Sequence, residues 1–341
     1  MADPVVTSLA AQQAHLGRPL RFDEYMHEAL YGASGFYTVG GQAGRRGDFL
    51  TSPEVGPLFG AVVARWIDAE FQRQGRPDGF TVIEVGAGPG TLARTVLLAA
   101  PHWAGRYVAV EVSEAQRTRH PDGVRSLPEL PEGQRPGVVV ANELLDNVPF
   151  RLAVFDGAWR EAHVAVGADG TVSEVLRRAP EEWATFMPRT APHGARLPVH
   201  EAGARWLSAA RAALASGGTL LCFDYCTART AALALEPWRT WLRTYRGHER
   251  GDHYLRQPGA QDITTQVCLD QLPEPEVVRT QAQFLQRWGI ADLVEEGRAA
   301  WEAAAARPTL DALRMRSRVR EAESLLDPAG LGGFLAVEWR A

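Results

Sequence analysis

The spacing of apolar residues changes near residue 80, and this change divides the chain into parts with different expected structures. Before that point, apolar residues recur every three or four positions, which is typical of amphipathic helices. They are Phe22, Met26, Ala29 and Leu30 in a first helix, and Val55, Leu58, Phe59, Val62, Val63, Trp66, Ile67 and Phe71 in a second. Ser52 can cap the second helix, and Pro53 suits its first turn. We predict a helical N-terminal extension over residues 1–75, with one helix starting at Ser52 and continuing through Phe71.

After that point, short apolar runs alternate with glycines and helical stretches, which is typical of parallel strands covered on both faces. The predicted central strands are residues 80–85, 107–112, 138–141 and 219–224. Helices are predicted at residues 91–100 and 200–215. This alternation predicts an α/β fold with a doubly wound sheet.

The other segments add to this core. Residues 152–166, broken by Asp156-Gly157, indicate a hairpin, and residues 227–275 have little periodicity and indicate an insertion over the carboxyl ends of the strands. Helices near 276–305 and 311–325 and a last strand at 332–339 follow. The predicted parts are the extension, a core over 76–226, the insertion over 227–275, and a C-terminal part over 276–341 that completes the core.

One segment joins a predicted strand to a predicted helix through glycines at every second position. It contains Glu84, then Gly86, Gly88 and Gly90, and then Thr91. Glycine permits a tight turn close to a ligand, and the start of a helix offers free N–H groups to an anion. In a dinucleotide-binding fold the third glycine stands one residue later, at the position of Thr91. The observed spacing suits S-adenosylmethionine instead, and a glycine-rich turn without a ligand is the alternative.

Acidic residues follow two further predicted strands. Glu111 stands about 20 residues after the glycines, where a carboxylate can meet ribose hydroxyls. This ribose role does not separate a methyl donor from a nicotinamide cofactor. Asn142, Glu143 and Asp146 follow residues 138–141, where an open sheet presents its ligand crevice. Glu143 and Asp146 could project together and hold a guanidinium. The alternative is that Asn142 and Asp146 only cap the next element.

Composition excludes several functions. None of the 36 basic residues is a lysine, so Schiff-base chemistry, a Walker lysine and a kinase lysine are impossible. The net charge of −5 argues against nucleic acid or an anionic membrane as a partner. Three cysteines without ligand-like spacing argue against disulfides and a zinc site, so we expect no metal. Apolar runs fall far below the roughly 20 residues that cross a bilayer, and no signal segment is recognisable, so we expect a cytoplasmic protein.

Several motifs carry a resemblance to a known family. The most specific are residues 47–54 (Gly-Asp-Phe-Leu-Thr-Ser-Pro-Glu) and the block at 142–149. Further matching segments lie at 25–37, 59–60, 84–92, 111–113, 224–225, 258–264, 280–285 and 330–334. Together they make the chain resemble the MidA-type family of S-adenosylmethionine-dependent methyltransferases over nearly its whole length. Mitochondrial members of that family assist complex I assembly.

The resemblance implies a class I, Rossmann-like methyltransferase core with a helical extension and a substrate-covering insertion. For mitochondrial members it implies methylation of a protein arginine. It also implies roles for particular residues. Those implied for the donor are Glu84, Gly86, Gly88, Gly90, Thr91 and Glu111, with Asp48, Thr51, Ser52 and Pro53 as a lid, and those implied for the transfer site are Asn142, Glu143 and Asp146.

The chain departs from the family pattern at positions that we assign to the acceptor side. The departures are Thr95 in place of an acid, Leu152 near a usual glutamine, Cys226 in place of glycine, and Gln266 and Cys268 in place of a histidine and an acid. They put the identity of the acceptor in question more than the chemistry. His248 matches a histidine common in the insertion and is a candidate catalytic residue.

We therefore predict a methyltransferase that acts on a nitrogen, with a protein arginine as the favoured acceptor. Its candidate catalytic residues are Glu143, Asp146 and His248. The alternatives are a natural-product N- or O-methyltransferase, an assembly factor that binds the donor without turnover, and, as an outsider, a hydride-transfer enzyme. The oligomeric state is open, with a homodimer as one option.

Overall fold

A computed structural model describes residues 3–39, 51–247, 249–307 and 309–341. Two predicted site residues, Asp48 and His248, lie outside the described residues. The helices are α1 (Pro4–Leu16), α2 (Phe22–Tyr31), α3 (Phe36–Val39), α4 (Ser52–Val55), α5 (Pro57–Arg73), α6 (Thr91–Ala99), α7 (Glu114–Arg117), α8 (Glu201–Ala212), α9 (Thr230–Leu233), α10 (Gln281–Arg287), α11 (Ile290–Ala303) and α12 (Leu310–Leu326). The strands are β1 (Leu20–Arg21), β2 (Thr81–Val85), β3 (Tyr107–Val110), β4 (Val124–Leu127), β5 (Gly137–Asn142), β6 (Arg151–Phe155), β7 (Trp159–Val166), β8 (Val172–Arg178), β9 (Arg196–Val199), β10 (Thr219–Asp224), β11 (Cys226–Thr227), β12 (Leu242–Arg246), β13 (Glu249–Arg250), β14 (Asp262–Thr265), β15 (Val267–Cys268), β16 (Val277–Thr280) and β17 (Leu335–Arg340).

A seven-stranded sheet forms the centre of the fold, in the order β4-β3-β2-β5-β10-β17-β16. The first five strands are parallel, whereas β17 runs antiparallel to both of its neighbours. Strands β5 and β10 are buried along nearly their whole length, as expected for strands covered by helices on both faces. The predicted doubly wound α/β sheet is confirmed. Chain order reverses between β2 and β5, which is where open α/β sheets bind ligands.

A second, antiparallel sheet lies beside the central one. The predicted hairpin is present as β6 and β7, but it forms the middle of a five-stranded sheet that the sequence pattern does not reveal. Strand β1 of the N-terminal extension pairs with β7, placing Leu20 opposite Val164. Helices α1 and α2 share one apolar core with this sheet. The sheet escapes prediction because β1 has only two residues and β9 only four.

The segment from 227 to 275 is more regular than its sequence indicates. It holds a three-stranded sheet, in the order β13-β12-β14, and its strand β15 pairs with β11. Trp241, Leu242 and Ile263 bury their side chains in the core of the second sheet. The short strands have no clear periodicity because they depend on this packing. Strand β14 thereby brings its polar residues to the carboxyl end of β5, next to the loop after Asn142.

Two predicted helices are wrong in their bounds. The helix predicted to start at Ser52 is two helices, α4 and α5, because Gly56 is extended and Pro57 starts a new helix. The residue that precedes α4 as its cap is Thr51, not Ser52. The helix predicted over 276–305 begins as strand β16 and breaks at Gly289, which has a positive φ of 81°. Within the described ranges, every helix is too short or too polar to cross a membrane.

Candidate active site

A cavity of about 1100 Å³ opens at the carboxyl ends of the central strands, at the point where chain order reverses. Its size would accommodate a nucleoside together with part of a second molecule. The described residues that line it lie in the ranges 27–38, 51–54, 84–92, 110–118 and 142–149, together with Trp206. The cavity therefore combines the predicted core with the N-terminal extension.

The glycine turn after β2 needs its glycines for two different reasons. Gly86, Gly88 and Gly90 all have positive φ angles, of 69°, 52° and 78°. A Cβ atom on Gly86 would lie 2.9 Å from Cδ1 of Leu144, so a side chain there would strain the backbone and crowd the cavity. A Cβ atom on Gly90 would instead meet Cδ of Pro121 at 2.9 Å. Gly86 and Gly88 line the cavity, whereas Gly90 serves the packing of the turn.

Glu111 lies in the cavity wall directly after β3. The backbone N–H groups of Gly88 and Ser113 donate to its two carboxylate oxygens, at 2.9 and 2.8 Å. Each oxygen keeps a further lone pair that can accept a hydroxyl proton. The carboxylate is therefore held in one position beside the glycine turn, as the predicted ribose role requires.

Glu84 and Thr91 tie the turn to its surroundings. Glu84 is buried in β2, where the hydroxyl of Tyr107 donates to it at 2.8 Å. Burial raises the pKa of Glu84 to about 8, so this acid is largely protonated at neutral pH. The hydroxyl of Thr91 donates to Glu54 of α4 at 2.6 Å. Glu54 also lines the cavity, and the sequence analysis did not identify it as a site residue.

The predicted lid residues of α4 separate into two groups. Thr51 and Pro53 line the cavity. Ser52 is fully buried, and its hydroxyl donates to Oε1 of Gln281 at 2.9 Å. Its backbone N–H donates to the carboxylate of Glu143. Ser52 thus joins α4 to the opposite wall rather than contacting the cavity itself.

Glu143 lines the cavity in a backbone conformation that few residues adopt. Its φ is 49°, in the left-handed region, and its N–H donates to the carbonyl oxygen of Phe223 at 2.8 Å. The hydroxyl of Tyr225 donates to Oε2 at 2.7 Å, and Nδ2 of Asn142 donates to Oε1 at 3.1 Å. Partial burial raises the pKa of Glu143 to about 7. Strained residues of this kind cluster at functional sites.

Asp146 does not line the cavity, contrary to the prediction that it projects together with Glu143. It is buried in the short turn that follows, where the hydroxyl of Thr264 donates to Oδ2 at 2.5 Å. Burial and the charge of Glu143 raise the pKa of Asp146 to about 7, and Arg243 acts in the opposite direction. The other carboxyl oxygen of Asp146, Oδ1, is buried without a hydrogen-bond partner among the described residues.

Two further buried carboxylates complete this side of the site. Asp224 accepts the N–H groups of Leu145, Asp146 and Tyr225, and so holds the loop that carries Glu143. Asp262 accepts from Tyr37 and Asn147, both at 3.1 Å. Burial, followed by the charge of Asp146, raises the pKa of Asp262 to about 7. Both acids lie in segments that carry the family resemblance, 224–225 and 258–264, and neither is among the predicted site residues. A polar residue at the end of a buried strand was the available signal for Asp224.

Tyr31 and Tyr37 form an aromatic wall that the sequence analysis did not assign to the site. Their rings stack with centroids 5.5 Å apart and planes 16° apart, and both line the cavity. The hydroxyl of Tyr31 donates to the carbonyl oxygen of Asn147 at 3.1 Å. Tyr31 thus bonds to the loop after β5, and Tyr37 bonds to Asp262 of the insertion. These two hydrogen bonds hold the N-terminal extension over the site.

The positions at which the chain departs from the family pattern do not line the cavity. Cys226 and Cys268 belong to the paired strands β11 and β15, and Leu152 is buried in the second sheet. Gln266 donates to the carbonyl oxygen of Cys226 at 3.4 Å. Thr95 of α6 packs against Gly60 of α5. These departures therefore change packing, not the described wall of the site.

The described wall fits S-adenosylmethionine. The glycine turn leaves open the space that side chains would fill, and Glu111 faces the same cavity. In addition, Oδ1 of Asn142 is buried at the cavity without a hydrogen-bond partner among the described residues. A buried acceptor of this kind indicates a missing donor, which an adenosyl group can supply.

Comparison with known proteins identifies the family. A family described as "Putative S-adenosyl-L-methionine-dependent methyltransferase" matches residues 62–286. The chain belongs to this family. The enzyme is a methyltransferase that depends on S-adenosylmethionine, as predicted.

Relatives and solved structures agree with this assignment. The zebrafish (Danio rerio) mitochondrial protein arginine methyltransferase NDUFAF7 is 24% identical over 320 residues, which cover 80% of this chain and 74% of the relative. The NDUFAF7 homolog of Drosophila melanogaster is 30% identical over 196 residues, so the chain spans only 44% of its length. A crystal structure from Burkholderia thailandensis, bound to S-adenosyl-homocysteine, is 27% identical with a TM-score of 0.82. The alignment covers 99% of this chain and 92% of that one. The predicted MidA-type family, methyltransferase fold and cofactor are confirmed.

Proposed function

We propose that this methyltransferase transfers the methyl group to a guanidinium nitrogen of an arginine in a protein. The observation that carries the proposal is the carboxylate of Glu143, which lines the cavity and has the buried carboxyl groups of Asp146, Asp224 and Asp262 nearby. Planar, delocalised guanidinium is the cation that carboxylates recognise most specifically in proteins.

The electrostatics of this wall favour a cationic acceptor. The pKa values of Glu143, Asp146 and Asp262 are each raised to about 7, and burial is the largest cause in each case. The guanidinium of Arg243 lowers the pKa of Asp146 but does not offset the effect of burial. Carboxylates that lack enough positive charge around them gain stability when a cation binds beside them. A guanidinium would supply this charge.

The donor supplies an electrophilic methyl group on a positively charged sulfur. Gly86, Gly88, Glu111 and Asn142 would hold it, since their backbone and side-chain atoms face the cavity. Glu143 would hold the guanidinium, orient one nitrogen toward the methyl group, and accept the proton that the methylated nitrogen releases. Tyr225 would fix Glu143 through its hydrogen bond during this exchange. The roles of these residues are part of the proposal.

Two kinds of observation support a protein acceptor. The relatives named above are protein arginine methyltransferases, although the alignments cover only part of some of them. In addition, the departures from the family pattern lie away from the cavity wall. A small-molecule acceptor has no specific observation in its favour and is therefore treated as an outcome of the test.

The test uses the full chain with methyl-labelled S-adenosylmethionine and a lysate of cells that normally express it. We expect label in protein and its recovery as methylarginine after acid hydrolysis and mass spectrometry. Glu143→Gln should lower the rate of labelling about 100-fold. Glu323→Gln, the same change at an exposed acid of α12, should keep it.

Other outcomes would contradict the proposal. Label found only in the small-molecule extract would indicate a natural-product methyltransferase. Binding of the donor without labelling of any fraction would indicate an assembly factor. Label in protein at a residue other than arginine would contradict the guanidinium assignment.

A further inference from the structure

Helix α4 forms one wall of the donor side of the cavity, although it has only four residues. Thr51, Pro53 and Glu54 line the cavity. Glu54 accepts a hydrogen bond from the hydroxyl of Thr91 at the start of α6. A single helical turn has little stability of its own. The position of this wall must therefore be set by what α4 packs against.

The joint between α4 and α5 lacks a local cap. The residue before α5 is Gly56, which has no side chain to accept the free N–H groups at the start of this 17-residue helix. The missing acceptor comes from α12, where Oε2 of Glu321 accepts the N–H of Leu58 at 2.8 Å. Oε1 of Glu321 accepts a hydrogen bond from the hydroxyl of Ser317 at 2.5 Å, and this bond fixes the orientation of the carboxylate. Glu321 is buried, and a carboxylate suits the positive end of a helix.

The close approach of Glu321 also explains why residue 56 is a glycine. A Cβ atom at position 56 would lie 2.3 Å from Cδ of Glu321 and 2.5 Å from its Oε2. The backbone of Gly56 is extended, with φ of 164°, so other residues could adopt this conformation. A side chain at position 56 would therefore displace the carboxylate of Glu321, whereas the backbone conformation itself does not demand glycine.

We propose that Glu321 is a positioning residue for the donor site. It contacts neither the donor cavity nor the reacting atoms, and it acts through the α4–α5 joint, which holds Pro53 and Glu54 in the cavity wall. Without it, α5 loses its cap and the joint samples other arrangements. The apparent affinity for the donor then falls in proportion to the fraction of molecules in which the wall is still in place. The proposal concerns donor binding and does not depend on the identity of the acceptor.

Calorimetry with S-adenosyl-homocysteine on the full chain tests this proposal. We expect Glu321→Ala to weaken binding about tenfold, whereas Glu321→Gln, which keeps an oxygen acceptor, should weaken it by no more than about threefold. Glu323→Ala, on the exposed side of the same helix, should leave binding unchanged. In kinetics, Glu321→Ala should raise the KM for the donor and leave kcat at saturating donor within about twofold.

A double-mutant cycle with Gly56→Ala distinguishes positioning from a general loss of stability. Alone, Gly56→Ala should weaken donor binding by a similar factor, because its Cβ displaces Glu321. In the Glu321→Ala background it should add almost nothing, because the carboxylate that it would meet is gone. If Glu321→Ala does not fold, Gly56→Ala and Glu321→Gln still carry the test. Lower melting temperatures with unchanged donor affinity, or a Gly56→Ala loss that persists in full in the double variant, would overturn the proposal.

Discussion

The donor and acceptor sides of the cavity differ in what they are made of. The donor side is mainly backbone, supplied by one strand, turn and helix over residues 84–92, with Glu111 from the neighbouring strand. The proposed acceptor side consists of side chains from distant segments: Tyr37 and Glu143 line the cavity, and Asp262 accepts a hydrogen bond from Tyr37. The donor side thus depends on local backbone geometry, whereas the proposed acceptor side depends on the packing of segments that are far apart in the sequence.

The two sides also differ in their electrostatic state. The carboxylate of Glu111 is satisfied by two backbone N–H groups. Glu143, Asp146 and Asp262 instead have raised pKa values, because burial leaves their charges without enough compensation. In the proposed function, a cationic acceptor would supply the positive charge that these carboxyl groups lack.

The largest effect is expected where a side chain enters the donor turn. Gly86→Val should weaken binding of S-adenosyl-homocysteine by roughly 300-fold or more, because it combines a positive φ with a collision against Leu144. Calorimetry measures the loss. Gly157→Val is the matched control, since Gly157 has φ of 71° in a hairpin turn with open space around it. It should lower stability and keep donor affinity, and equal losses of affinity would contradict the donor role of the turn.

The acceptor side should respond to loss of one charge. Glu143→Gln should lower kcat about 100-fold and change donor affinity less than about threefold, because the amide cannot accept the proton or pair with a cation. Glu143→Asp keeps the charge and should recover part of the rate. Steady-state kinetics and calorimetry separate the two effects. A parallel loss of donor affinity would show that the two sides are not independent.

The pH dependence of kcat/KM should follow the ionisation of the carboxyl groups on the proposed acceptor side. Because the pKa of Glu143 is raised to about 7, protonation removes its charge at lower pH, and kcat/KM should fall about tenfold per unit below that value. Asp146 titrates in the same range, while Arg243 and the hydroxyl of Tyr225 favour the charged forms. Donor affinity should change little over this range. A flat profile between pH 5.5 and 8, all values within about twofold, would contradict the proposed role.

The same raised pKa has an opposite consequence for stability. The folded protein binds a proton at Glu143 more tightly than the unfolded chain does, so this group favours folding below the ordinary glutamate pKa. That contribution is lost as pH rises toward about 7. Urea unfolding of the wild-type chain should therefore show a larger decline of the unfolding free energy over this range than Glu143→Gln shows.

The smallest effect concerns the aromatic wall. Tyr37→Phe removes the hydrogen bond to Asp262 but keeps the ring, so the KM for the acceptor should rise about threefold while donor affinity stays unchanged. Tyr25→Phe removes a hydroxyl from the same extension, away from the cavity, and is the matched control. A change in KM of the same size in both variants would indicate a general loosening of the extension.

The donor half of the site could be predicted from sequence because its geometry is local. The acid, the three glycines and the following helix are consecutive, and the positive φ angles of the turn admit few other residues. Glu111 could be predicted because parallel strands place their carboxyl ends at one edge of the sheet. The central strands could be predicted because burial on both faces leaves continuous apolar runs.

Other features depended on packing that no local pattern records. The break at Gly56 could be suspected from Pro57, but its partner Glu321 is 263 residues away from the helix it caps. Asp146 was assigned to the cavity by its spacing from Glu143, but it is buried against Thr264 and does not line the cavity. The backbone at Glu143 is left-handed, not helical. Spacing along a chain predicts which side chains share a face only while the backbone is regular.

Local sequence is sufficient to predict the class of fold, the donor and the turn that faces it, since each depends on residues that are neighbours in the chain or on adjacent strands. The tertiary structure alone decided which acids and tyrosines meet around Glu143. Tyr37 and Asp262, 225 residues apart, are joined only because the extension and the insertion pack on the same second sheet. Contacts of this kind follow from the packing of whole elements, and the residues that make them carry no local signal of their partners.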